Sequence, residues 1–129
     1  MKKMRNKKGK TEMTNKMRVW WIPQIGTNAI FYIPVGSVEE GKKVMDMLAC
    51  YDAFQLQHRI KPDYCNTGGL QIYNPDIADY EDWYIDNEEG YFEDVDDYID
   101  ATGNEDIKKF TEEIFEQIDW DLIKKLNNK

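Results

Sequence analysis

The chain has 129 residues, 41% hydrophobic and 33% charged, with a formal net charge of −8. That length suits one domain with a modest core, and its four Trp, eight Tyr and five Phe exclude a wholly disordered chain. No apolar run approaches the roughly 20 residues that cross a bilayer, and no export signal is seen before Val19, so Cys50 and Cys65 are expected as free thiols of a cytoplasmic protein.

The net charge hides a division. Residues 1–18 carry Lys2, Lys3, Arg5, Lys7, Lys8, Lys10, Lys16 and Arg18 against Glu12 alone, a net of +7, and the remainder carries −15. Residues 1–17 lack apolar periodicity and read as a flexible basic arm. Residues 18–129 then form a single acidic domain. Such a body repels nucleic acid and attracts basic surfaces, so direct contact with nucleic acid is expected only from the arm. No membrane association is expected.

Val19-Trp20-Trp21-Ile22 reads as a strand that stops at Pro23. After turn residues at Gly26-Thr27-Asn28, Ala29–Ile33 reads as a second strand closed by Pro34, and the two are placed to form a hairpin. Ser37-Val38-Glu39-Glu40 is a capping box, with Ser37 accepting from the third helical amide and Glu40 reaching back to the Ser37 N–H. The helix that follows carries Val38, Gly41, Val44, Met45, Leu48, Cys50, Tyr51 and Phe54, mostly at the spacing of one face. It should end between Phe54 and Gln57, before Pro62.

Lys61–Tyr64 and Asn66–Gly69 have the chemistry of turns. Gly68-Gly69 lacks the lysine and flanking glycines of a phosphate loop and reads as a turn. Leu70–Tyr73 and Trp83–Ile85 read as strands, the latter turning through residues 86–90 into Tyr91-Phe92. Asp94 to Ile99 reads as a helical turn. Asn104 is an N-cap for a final helix, about 104–126, whose face includes Ile107, Phe110, Ile114 and Ile118. That face either packs on the domain or drives homo-oligomer formation. The expected fold class is α+β: a small antiparallel sheet of about four or five strands against a central helix and a C-terminal helix.

Catalytic constellations are nearly absent from the pattern, and only paired carboxylates, about which spacing alone is uninformative, stay open. Ser37 is the only serine and serves as a cap, so a Ser–His–Asp arrangement is excluded. His58 is the only histidine and sits at a helix end, without the spaced N and S ligands of a zinc site. Around Gly90 the calcium-loop pattern fails at its first ligand, Ile85. No catalytic residue, metal or cofactor is expected, and the chain reads as a binding protein.

The candidate site is the segment 76–100, which holds twelve acids and no basic residue. The residues singled out as partner-binding are Asp82, Trp83, Tyr84, Asp86, Glu88, Glu89, Tyr91, Glu93, Asp94, Asp96, Asp97 and Tyr98. Two readings stay open here. Aromatics beside carboxylates suit an interface with a basic partner, and they equally suit an acidic face lying over core aromatics.

Three runs are distinctive: Trp20-Trp21-Ile22-Pro23-Gln24, Tyr51-Asp52-Ala53-Phe54-Gln55 and the stretch from Ile60 to Leu70. Together they resemble a group of short, acidic, uncharacterised proteins of tailed bacteriophages and prophages, over roughly residues 18–90. The resemblance implies a phage accessory protein working inside a bacterial host. With the acidic segment, it leads to the expectation of an inhibitor of a host defence protein, a CRISPR effector or restriction-type nuclease. Its partner would be a host protein with a basic nucleic-acid-binding surface, engaged by mimicry of nucleic acid. The alternatives are a protein sequestering a nucleotide signal, or a self-associating structural or regulatory phage protein.

Overall fold

The computed structural model describes residues 16–127. The expected basic arm thus lies outside the described residues, except for Lys16 and Met17, and Met17 already belongs to the first strand. In chain order the elements are β1 (Met17–Ile22), β2 (Phe31–Val35), α1 (Val38–Gln57), β3 (Thr67–Asn74), β4 (Asp79–Asp82), β5 (Ile85–Asn87), β6 (Gly90–Phe92), α2 (Val95–Thr102), α3 (Glu105–Phe115) and α4 (Trp120–Asn127). Four strands form one sheet in the order β2-β1-β3-β4, and β5 and β6 form a separate ribbon. All pairings between these strands are antiparallel. The fold is α+β, as expected.

The sheet follows from alternation along β1. Met17, Val19 and Trp21 share one face, and fully buried Val19 lies opposite Ile33 on β2 and Leu70 on β3. On the other face, the Arg18 guanidinium lies between two rings, 3.9 Å from the centroid of Tyr32 and 3.7 Å from that of Tyr80. The hairpin of β1 and β2 forms as expected. However, β2 continues through Pro34 to buried Val35, because it is an edge strand whose outward positions need no partner.

Helix α1 starts where the capping box places it. Ser37 Oγ accepts the Glu40 N–H at 3.1 Å, while the Glu40 carboxylate takes the N–H of Gly36 rather than that of Ser37. Gly41 lets the helix settle on the sheet, since a Cβ there would lie 2.9 Å from Leu70 Cδ1. The helix ends at His58, followed by Arg59 in the left-handed region at φ 61.

α1 is the middle layer. One side closes a core with Val19, Val35, Leu70 and Trp83, and the other closes a second core in which Cys50, Ala53 and Leu56 meet Ile118 and Ile123. The single C-terminal helix expected over 104–126 is two helices. Asn104 caps α3 as expected, accepting the Ile107 N–H at 3.1 Å. The chain breaks before Asp119, whose carboxylate accepts the Leu122 N–H at 3.0 Å and whose own N–H donates to Gln57 Oε1 at 2.9 Å. The break wraps α4 back onto the end of α1.

Candidate functional site

Two tryptophans and two glycines organise the region beside the site. Across the β1–β3 ladder Trp20 faces Gly69 and Trp21 faces Gly68. A Cβ on Gly68 would lie 2.2 Å from Trp21 Cε3, and one on Gly69 would lie 2.8 Å from Trp20 Nε1. Gly68-Gly69 is therefore not a turn, as its sequence suggested, but part of a strand. Each glycine leaves room for an indole ring on its own face of the sheet.

The inner ring then makes a polar contact. Trp21 Nε1 donates to Asp52 Oδ2 at 3.1 Å, Asn66 Nδ2 donates to the same oxygen at 2.9 Å, and Lys61 Nζ lies 3.2 Å from Oδ1. Lys61 also donates to the Pro23 carbonyl at 2.7 Å. Asp52 is only 4% exposed, so its charge is held by three converging donors rather than by water. Nearby, Ile25 N–H donates to the Cys65 carbonyl at 2.6 Å and Gln24 bonds to Asp63. The three runs singled out in the sequence thus meet at one buried carboxylate.

A second buried acid lies on another face of α1. Asp46 accepts from Thr111 Oγ1 of α3 at 2.6 Å and pairs with Lys42 at 3.1 Å. Lys42 also reaches Asp96 of α2 at 2.7 Å. Burial alone would lower the Lys42 pKa, but the hydrogen bonds and charges of Asp96 and Asp46 outweigh it and raise the pKa. Burial, reinforced by Asp46, pushes the Cys50 thiol up to about 11. Cys50 and Cys65 are both free, as expected.

Between α1, the end of the β3 edge and the segment after β4 lies an open cleft of about 550 Å3. Trp20, Gly68 and Gly69 form its sheet wall, Met45 and Ala49 its helical wall, and Asp82, Tyr84, Tyr91, Glu93, Asp94 and Asp96 the remainder. The predicted residues separate here. Trp83, 5% exposed, turns into the core and meets Tyr98 edge-on at 5.5 Å, and Tyr98 meets Phe92 at 5.6 Å. Tyr84 and Tyr91 remain 50% and 56% exposed, with ring centroids 6.0 Å apart.

The acids separate too. Asp82, Glu93, Asp94 and Asp96 converge on the cleft. Asp94 also caps α2 by accepting the Asp97 N–H at 3.1 Å, and Asp96 spends its charge on Lys42. Asp86, Glu88, Glu89 and Asp97 are exposed but do not line the cleft. Trp83 and Tyr98 thus belong to the core beneath the acidic face, while Tyr84 and Tyr91 stay at the surface. Sequence reasoning missed Trp20, Gly68, Gly69 and Lys42 as cleft residues. The pairing of a double tryptophan with a double glycine was the one signal for them.

Among the described residues, no group of three or more His, Cys, Asp or Glu is placed to hold a metal ion. None of the described helices is long and apolar enough to cross a membrane. His58 lies at the end of α1, with its ring 4.3 Å from that of Phe54.

A sequence model of the family described as superinfection exclusion gene product 17 matches residues 16–104. The superinfection exclusion protein of Salmonella phage P22 is 42% identical over 101 residues, covering 70% of this chain and 95% of that protein. No solved structure matches. These findings support a phage protein and overturn the expected inhibitor of a CRISPR effector or restriction nuclease, together with its mimicry of nucleic acid. That expectation rested on the density of acids along the sequence, whereas in the fold several of those acids serve as a cap, an ion pair or scattered solvated charge. The matched residues include every residue that lines the cleft, and the chain belongs to the superinfection exclusion gene product 17 family.

Proposed function

We propose that this chain acts in superinfection exclusion, inside the infected cell, by binding a protein partner rather than by catalysis. The observation that carries this reading is its 42% identity to the phage P22 superinfection exclusion protein. The cleft is the contact surface. Its exposed Tyr84 and Tyr91 supply anchoring area, and its exposed carboxylates Asp82, Glu93 and Asp94 select a partner with a basic surface. Among the described residues Lys42 is the only cation lining the cleft, and it is already committed to Asp46 and Asp96.

The test is expression of the chain in a bacterial host before challenge with a panel of phages. Wild-type chain lowers the plating efficiency of at least one of them. The double substitution Tyr84→Ala, Tyr91→Ala restores plating while the protein accumulates to the same level. Normal plating of every phage on cells making the wild-type chain would reject the reading. Full exclusion by the double variant would place the contact surface elsewhere.

A further inference from the structure

The β3 edge opens into the cleft. β4 pairs with β3 from Asn74 opposite Asp79 to Gln71 opposite Asp82. One more bond follows, from Trp83 N–H to the Leu70 carbonyl at 3.0 Å. Among the described residues Trp83 returns no bond to the Leu70 N–H, because the chain turns away there toward β5.

Alternation along β3 fixes where the remaining groups point. In an antiparallel strand, successive residues turn their N–H and C=O to opposite neighbours. Tyr73 N–H bonds to the Lys16 carbonyl at 2.9 Å, which sets the odd-numbered residues toward β1. Leu70 and Gly68 therefore face the side that β4 has vacated. The Leu70 N–H and both backbone groups of Gly68 point at the cleft, and both residues line it. Among the described residues the Leu70 amide therefore has no strand partner on that side. Such an edge is a template for an incoming strand.

The surrounding charge selects the incoming chain. Asp82, Glu93 and Asp94 line the cleft and remain exposed, whereas Asp46 and Asp96 share the single charge of Lys42. We propose that the cleft receives its partner as an added β-strand, an extended segment with Lys or Arg at alternate positions, bonded to the Gly68–Leu70 edge. This rests on the binding role proposed above and specifies its mode. The period of two along a strand directs every second side chain to the acids, while Tyr84 and Met45 flank the backbone.

The experiment uses the full chain, isotope-labelled, with three hexapeptide probes. One alternates arginine and valine, one alternates glutamate and valine, and the third is the arginine peptide N-methylated along one edge, which removes donors but keeps the charge. The arginine peptide binds and slows amide exchange at Leu70 and Gly68 by about tenfold or more. The glutamate peptide does not bind. N-methylation weakens binding by about tenfold or more, and so does the pair Asp82→Lys, Glu93→Lys.

Equal binding of the methylated and unmethylated arginine peptides would overturn strand addition in favour of plain charge attraction. Binding that leaves Leu70 exchange unchanged would do the same. Amides at Leu70 and Gly68 already protected in the free chain would also overturn it, in favour of residues 1–15 or a second copy as occupant. If no peptide binds, strand addition fails, while the exclusion role is judged separately by the plating assay.

Discussion

Helix α1 buries two aspartates six residues apart, and they bind different parts of the molecule. At 100° per residue that separation puts them on different faces of the helix. Asp52 faces the sheet and draws its donors from Trp21, Lys61 and Asn66, all within the residues the family model matches. Asp46 faces away and bonds to Thr111 on α3, which lies beyond that match. The first carboxylate holds the shared fold together, and the second fastens an added helical layer to it.

The comparison breaks first at Asp52. Asp52→Ala leaves Lys61 and the Trp21 N–H without their anion, and removing one partner of a buried pair costs about 3–5 kcal/mol. Chemical denaturation should show this as a large fall in midpoint. A cost below about 1 kcal/mol would mean that water replaces the carboxylate.

Thr111→Val tests the other node and should cost about 1.5–3 kcal/mol, since it removes one hydrogen bond to a charged group and keeps the shape. Hydrogen exchange should quicken in α3 and remain unchanged in β1 and β3. Equal quickening in both regions would erase the distinction between the two aspartates.

Alkaline pH sharpens the contrast further, because Lys42 and Cys50, both with raised pKa values, lie beside Asp46. The Cys50 thiol titrates at 9.0 when unfolded and at about 11 when folded. The unfolded chain therefore loses that proton first, and stability falls as pH rises from 9.0 to about 11. Lys42 acts in the same direction: its contribution is intact below its ordinary 10.5 and is lost as it deprotonates above that. The melting temperature should fall over this window, and Cys50→Ala should make the fall shallower. An unchanged slope would remove Cys50 as a contributor.

The smallest expected effect is at the cleft. Asp82→Lys with Glu93→Lys should shift stability by only about 0.5 kcal/mol, since both residues are exposed and neither caps a helix. Asp94 is left alone because it caps α2, where substitution costs about 1 kcal/mol. Thermal melting decides this, and marked destabilisation would make these acids structural.

Much of the fold was legible because its signals are local. The alternation in Val19–Ile22, the Ser37 cap and the Asn104 cap each depend on neighbours within one turn or one strand. Gly68-Gly69 was misread because the reason for glycine lies in another strand, in the indoles of Trp20 and Trp21. The split between α3 and α4 was hidden for a similar reason, since Asp119 is held by Gln57 from α1. In the site, adjacent Trp83 and Tyr84 look alike in sequence, yet one is core and the other surface. Charge density marked a surface, but it carried no information about what that surface meets.

One feature of β2 bears on how the protein behaves at high concentration. The alternation that pairs Ile33 with Val19 turns the Pro34 nitrogen outward, where a ring replaces the donor. Beside it Phe31 and Tyr32 are exposed, an apolar rim that would otherwise favour stacking of one sheet on the next molecule's. Proline at that position denies a regular ladder to any neighbour arriving there, so the sheet has no route to grow into a filament along its outer side.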